Sequence, residues 1–215
     1  MYWLTNKSLV FYRGRRTPRC AAALTCLFLA LIFSACVPRN PVARGRLFPI
    51  DSLLSAQASR LTDAKASLSK QVTFGSKQEQ IDLLPSDTTA WIKELEAFGV
   101  LDAINKPINR DRYKVSDTTD NKSNLRVRAF STHDDLPVKV VRLYYHRVLA
   151  SIRKIEANYV EHNGLYKTNR KLMMEFNDVN GTPMMTSYSI AGGQKMFLDD
   201  TVTYDIRGKV RLEIK

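Results

Sequence analysis

The stretch KLMMEFNDVNGTPMMTSYSI, residues 171–190, decides the fold. Side chains on an extended chain point to opposite faces in turn, so Leu172, Met174 and Phe176 share one apolar face. Asn180-Gly181 then supplies the two residues that best tolerate the positive φ angles of a tight hairpin turn. Met184, Thr186, Tyr188 and Ile190 carry the chain back with the same period. The reading is a β-hairpin with one buried side.

The pattern extends in both directions. Toward the C-terminus, Gly192-Gly193 is expected to break or bulge the strand. Val202, Tyr204 and Ile206 follow, with a turn expected at Arg207-Gly208. Val210, Leu212 and Ile214 then alternate with Lys209, Arg211, Glu213 and Lys215. Toward the N-terminus, His162-Asn163-Gly164 is a turn. Ile155, Ala157 and Tyr159 share a face of a strand beginning near Val148. His146-Arg147 marks another turn, preceded by Val141, Leu143 and Tyr145, and by Leu125, Val127 and Ala129. Strands at about ten-residue spacing with hairpin turns predict an antiparallel meander. One face is apolar and the other charged, so one side of the sheet meets water.

Ahead of Arg112 the period is helical. Ile50, Leu54, Leu61, Leu68 and Val72 recur at intervals of four and seven, predicting a helix from Asp51 to about Lys70 with Asp51 as N-cap. Residues 71–83, with Gly75-Ser76-Lys77 in the middle, read either as a small hairpin or, in part, as a continuation of that helix to Val72. Pro85-Ser86-Asp87 is a turn and N-cap. Thr88 to Phe98 is a second helix burying Trp91, Leu95 and Phe98 with Ile92 beside them, and Gly99 can end it. Asn105-Lys106-Pro107 closes this portion. The fold expectation is α+β: two N-terminal amphipathic helices packed on a curved antiparallel sheet of about six or seven strands. Residues 50–215 form one domain, mainly helical over 50–110 and mainly β over 111–215.

The beginning of the chain reads differently. Lys7, Arg13, Arg15, Arg16 and Arg19 precede an apolar run, AAALTCLFLALIFSAC, that ends at Cys36, and no acidic residue lies among them. A basic leader, an apolar core of about 13 residues and an exit of small residues are the parts of an export signal. The core is short for a bilayer span, which needs about 20 apolar residues. Phe33-Ser34-Ala35-Cys36 resembles the lipobox of bacterial lipoproteins, with Phe where Leu is commonest. That resemblance implies removal of residues 1–35 and acylation of Cys36 with palmitate-like chains. The alternative is an uncleaved signal anchor in the inner membrane. Residues 36–49, with three prolines after the cysteine and Arg39, Arg44 and Arg46, read as a flexible tether.

Composition narrows the classes. The chain has 33 basic and 21 acidic residues and a net charge of +12. Five of the basic residues lie ahead of Cys36, which leaves 28 against 21, a mild net +7. Such a balance suits an anionic lipid, glycan or protein partner, and nucleic acid is not expected in the envelope. Cys20 and Cys26 leave with the signal, so no internal disulfide is expected.

Motifs for chemistry are absent. His133, His146 and His162 have no ligand spacing. There is no Gly-x-Ser-x-Gly and no phosphate loop. Asp134-Asp135 and Asp199-Asp200 read as solvated turn carboxylates. Met173-Met174 and Met184-Met185 are expected to face each other across the Asn180-Gly181 turn. Core packing is favoured for them over an apolar pocket or copper(I). Arg142, Arg153, Lys154, Lys167, Arg170 and Lys171 fall on adjacent predicted strands and make a basic patch if they share the wet face. No catalytic, cofactor-binding or metal-ligating residue is assigned.

The pieces WIKELEAF (91–98), Asn105–Pro107 and GLYKTNR (164–170), behind a signal with a lipobox, together resemble a group of uncharacterised envelope lipoproteins of the Bacteroidota. The resemblance implies compartment and fold, and no activity. The functional expectation is a membrane-anchored, non-enzymatic binding or assembly module. Val37 is not the aspartate of an inner-membrane retention signal and no acidic export run follows. The periplasmic face of the outer membrane is therefore expected. The alternatives are a lipid or lipoprotein carrier with an apolar pocket between helices and sheet, and an envelope hydrolase.

Overall fold

The computed structural model describes residues 45–196 and 200–212. Cys36, the signal-like segment and most of the expected tether lie outside the described residues, as do Asp199 and Ile214. Residues from Arg46 onward form one compact unit. Its elements run α1 (Ile50–Asp63), β1 (Ser67–Phe74), β2 (Lys77–Leu83), α2 (Thr88–Gly99), a 3₁₀ turn (Val100–Asn105) and the short α3 (Pro107–Arg110). They continue with β3 (Lys114–Thr119), β4 (Arg126–Ser131), β5 (Val138–Tyr145), β6 (Ile152–His162), β7 (Tyr166–Val179), β8 (Thr182–Met196) and β9 (Val202–Arg211).

The α+β class is as expected, but the strand number is not. The nine strands make one antiparallel sheet in the order β2-β1-β9-β8-β7-β6-β5-β4-β3. Two differences add strands. The first expected helix stops at Asp63, and Lys65 turns the chain with φ +48°. Leu68 and Val72 therefore lie on β1 of a hairpin, not on a helical stripe. That hairpin turns at Gly75, φ +58°, and pairs with the last strand: Leu68 opposes Val210, and Val72 opposes Ile206. The helices thus do not simply precede the sheet, because two strands lie between them in the chain. The second difference is β3, an edge strand almost wholly exposed.

Glycines in β8 and β9 interrupt nothing. β8 runs through Gly192-Gly193, and β9 runs through Arg207-Gly208, where a turn was expected. Both glycines lie under tyrosines of the neighbouring strand. Tyr188 opposes Gly208, and Tyr204 opposes Gly192. A Cβ built on Gly208 would lie 2.1 Å from Cε1 of Tyr188, and one on Gly192 would lie 2.9 Å from the Tyr204 hydroxyl. Room for a ring accounts for Gly208, while at Gly192 the Asn169 carbonyl stands closer still, at 2.3 Å. The Asn180-Gly181 turn is as expected, with φ +53° and +80°.

Helix α1 begins after Pro49, with Asp51 in its first turn instead of at the cap. Helix α2 has the expected cap, since the Asp87 carboxylate accepts from the Ala90 N–H at 2.8 Å. Trp91, Leu95 and Phe98 are buried as expected, whereas Ile92 is 49% exposed. On a 3.6-residue helix Ile92 sits about 100° round from Trp91, off the buried stripe. Gly99 stays right-handed and the chain continues into the 3₁₀ turn.

One core joins helices and sheet. It contains Ile50, Leu61, Trp91, Leu95 and Phe98 with Val141, Leu143, Ile155, Leu172, Met174, Phe176 and Met185. Its polar members are anchors. Fully buried Gln57 donates to the Pro183 carbonyl at 2.9 Å and accepts from the Met185 N–H at 2.8 Å. This pins α1 where β8 bulges: Glu175 pairs with Ser187 but Phe176 with Met185, so Thr186 is extra. The bulge shifts the phase and sends Met185 into the core, which simple alternation assigned to the other face. Asn105 accepts from the N–H of Leu47 at 2.9 Å and donates to the Phe48 carbonyl at 2.7 Å. Leu47 and Phe48, the end of the stretch read as a tether, are therefore fastened to the body.

Candidate binding trough on the solvent face

The outer face of the sheet follows from register. Val141, Leu143, Ile155, Ala157, Leu172 and Met174 point to the core, so residues between them point to water. One row across the outer face reads Tyr144, Lys154, Glu175, Ser187, Lys209 and Ser69, each opposite the next. The row beside it reads Arg142, Glu156, Met173, Ser189, Arg207 and Gln71.

Over the outer face of β1, β7, β8 and β9 lies a trough of about 970 Å³. Its polar lining includes Ser69, Gln71, Gln80, Ser187 and Ser189, with Met173 among them. Its charges are Lys171, Arg207, Lys209 and Arg211 against Glu175 and Asp205. Both carboxylates are engaged: Glu175 accepts from the Ser187 hydroxyl at 2.7 Å, and Asp205 pairs with Arg207 at 2.7 Å. A second depression of about 860 Å³ shares Glu175, Asn177 and Thr186 with the first and reaches Lys154, Glu156 and Tyr144.

Of the six residues of the expected basic patch, four share this face: Arg142, Lys154, Lys167 and Lys171. Arg170 lies on the other one, by strand parity, and Arg153 is the extra residue of a bulge between Ile152 and Lys154 and borders the second depression. Arg153 reaches Asp178 at 3.4 Å, and Arg170 stands over the Tyr159 ring at 5.5 Å. Sequence proximity brought 170 with 171, but neighbours on a regular strand face opposite ways. The trough's Arg207, Lys209 and Arg211 were not in the expected patch. They became its members only because β9 is one unbroken strand beside β8.

Lys154, Tyr144 and Glu156 form the most organised cluster on this face. The Tyr144 hydroxyl donates to Glu156 at 2.8 Å, Lys154 pairs with it at 2.9 Å, and the ammonium lies 4.0 Å from the Tyr144 ring centre. Burial alone would raise the Glu156 carboxyl, but the hydrogen bonds from Lys154 and Tyr144 outweigh it and hold it below its ordinary range. The Tyr144 phenol is pushed up to about 12, first by burial and then by its bond to Glu156. Asp51, on α1, is raised by burial and by Asp102, away from the trough.

Elsewhere the expected motifs disperse. Met173 opposes Ser189 and Met174 opposes Tyr188, while Met184 opposes Asn177 and Met185 opposes Phe176, so the two methionine pairs do not face each other. Asp134 binds Arg112 at 2.5 Å, and Asp135 lies 3.6 Å from Lys139 and 3.9 Å from His162. Among the described residues no group of three or more His, Cys, Asp or Glu side chains could hold a metal ion. Among the same residues, no helix is long and apolar enough to cross a membrane.

Comparison with known proteins returns no match, whether to a family model, a curated protein or a solved structure.

Proposed function

We propose that this chain is a membrane-anchored envelope binding module, held by acylated Cys36, whose outer sheet face takes an extended anionic partner of the glycan class. The observation that carries this reading is the trough: four cations against two engaged carboxylates, on a floor of serine and glutamine side chains. Hydroxyls and amides exchange hydrogen bonds with sugar hydroxyls, and the surplus cations attract acidic groups. The nine-stranded sheet would supply the length along which such a polymer lies.

Two measurements test it. Cys36→Ala in the native host should move the protein out of the lipid-modified membrane fraction; unchanged lipid labelling would remove the anchor. For the trough, titration calorimetry with polygalacturonate against neutral dextran is decisive. Binding should be seen with the acidic polymer alone and weaken about tenfold in Lys171→Glu/Lys209→Glu, each charge being worth about 1 kcal/mol or less at a surface. Equal affinity of the variant would end the reading.

A lipid carrier is the second reading. A cleft of about 410 Å³ lies at the margin between α2 and the inner sheet face, with Ala97, Val100, Ile190 and Ile206 in its wall. That volume is at the low end for ligand pockets, about 300–1,000 Å³. Lipid in the native mass spectrum of the purified protein would favour it over the glycan reading.

A further inference from the structure

Three connections meet at one end of the sheet. They are the β1–β2 turn, the β6–β7 turn and the paired ends of β7 and β8 beside the start of β9. Register places them together: Phe74 opposes Tyr204, Gln194 opposes Val202, and Tyr166 opposes Met196. This end carries four exposed large apolar side chains, Leu165 at 71%, Phe74 at 58%, Met196 at 41% and Val202 at 39%. Exposed apolar residues scattered singly need no explanation, but four gathered at one end do.

The same end gathers cations. Lys77 opposes Phe74 across the hairpin. Lys167 and Lys195 oppose each other directly, with His162 on the far side of Lys167. Like charges placed opposite one another weaken a sheet unless an anion lies between or above them. Of the carboxylates nearby, Glu161 accepts from the hydroxyls of Tyr159 and Tyr166, Asp135 sits beside Lys139 and His162, and Asp200 is exposed two residues before Val202. Between the two lysines and Leu165, Tyr166 and Met196 there is a hollow of about 410 Å³. Leu165 and Met196 lie beyond the Lys167–Lys195 pair along the strands, and an apolar tip ahead of cations matches the two layers of a lipid surface, acyl boundary and headgroup.

We propose that this end of the sheet docks on an anionic phospholipid bilayer. Leu165 and Met196 enter the acyl boundary, Lys167 and Lys195 lie against headgroup phosphates, and Val202, Phe74 and Lys77 stand further back. The hollow receives one headgroup. The proposal rests on the placement of the chain beside a bilayer and is independent of what the trough binds.

The test uses the full chain in Trp3→Phe background, with the emission of buried Trp91 measured in that background and subtracted, reconstituted into vesicles with brominated acyl chains. Leu165→Trp, or Met196→Trp should the first fail to fold, reports from the tip, and Ile108→Trp reports from an exposed site on α3. In equal phosphatidylglycerol and phosphatidylcholine, the tip reporter should shift blue and lose about half its emission, as expected for a residue several Å into the interface. Pure phosphatidylcholine, or Lys167→Glu/Lys195→Glu, should abolish both effects. Equal quenching of Ile108→Trp, or of the tip reporter in pure phosphatidylcholine, overturns the proposal. A chain that floats with anionic vesicles while its tip reporter stays unquenched overturns the docking alone. A chain that does not float at all overturns the docking and the bilayer placement together.

Discussion

Tyr188 on β8 and Gly208 on β9 are cross-strand partners, and the ring occupies the space in which a side chain at 208 would stand. From there Tyr188 meets the edge of Phe98, with ring centres 5.9 Å apart at 78°, and its hydroxyl donates to Glu94 on α2. Glu94 in turn pairs with Lys70 of β1 at 2.8 Å. One tyrosine therefore ties three neighbouring strands to α2, and a glycine makes room for it.

Gly208→Ala should displace that ring. A Cβ 2.1 Å from Cε1 forces Tyr188 to give up its place against Phe98 and Glu94. Overpacking of this kind costs about 1–3 kcal/mol. Urea denaturation should give that loss in the wild-type background and far less in Tyr188→Ala. Equal losses in the two backgrounds would show that the ring is not the cause.

Gln57→Leu should destabilise by about 1–3 kcal/mol, the cost of leaving a buried donor and acceptor unpaired. The orphaned groups are the Met185 N–H and, in part, the Pro183 carbonyl, which keeps Arg60 at 3.1 Å. Hydrogen exchange should quicken at Met185 more than at Ile155 in the same sheet. Unchanged protection at Met185 would argue that the bulge holds its shape without the amide.

Asn105→Ala should release Leu47 and Phe48 without unfolding the sheet. The amide is 5% exposed and makes three bonds to Leu47 and Phe48 backbone groups. Limited trypsin digestion should then cut faster after Arg46, while far-ultraviolet circular dichroism stays native. No change in cleavage would mean that Phe48 is held by packing alone.

Alkaline pH should unfold this protein through its tyrosines. Tyr113, buried and donating to the Val138 carbonyl at 2.7 Å, is pushed up to about 12, as are Tyr144 and Tyr159. A raised folded-state pKa means the unfolded chain loses its proton first. Stability is then full below pH 10 and falls as pH rises from 10 through about 12. Tyr113→Phe should flatten that decline in denaturant midpoint against pH. An unaltered slope would exclude Tyr113 from the effect.

The strand residues and hairpin turns of the meander were legible locally, as were the Asp87 cap and the buried stripe of α2. Each reports on a period of two or 3.6 residues or on turn chemistry. The edge strand β3 was not, because a strand wet on both faces has no apolar alternation to read. Gly192 and Gly208 misled for a related reason. A glycine marks either a turn or a ring lying overhead, and only the partner strand distinguishes them. The basic patch was half legible: parity separates Arg170 from Lys171, a bulge displaces Arg153, and Arg207 and Lys209 joined through a pairing the local pattern does not contain.

Sequence alone therefore determined the local periods and the surplus of cations, and the proposal of Cys36 as an acylation site rests on it alone. The tertiary structure decided that β1 lies beside β9, more than a hundred residues away, and that one bulge at Thr186 buries Met185 as well as Met184. Periodicity is a property of neighbouring residues, whereas strand order depends on which distant backbones find each other's hydrogen-bonding groups and close one core.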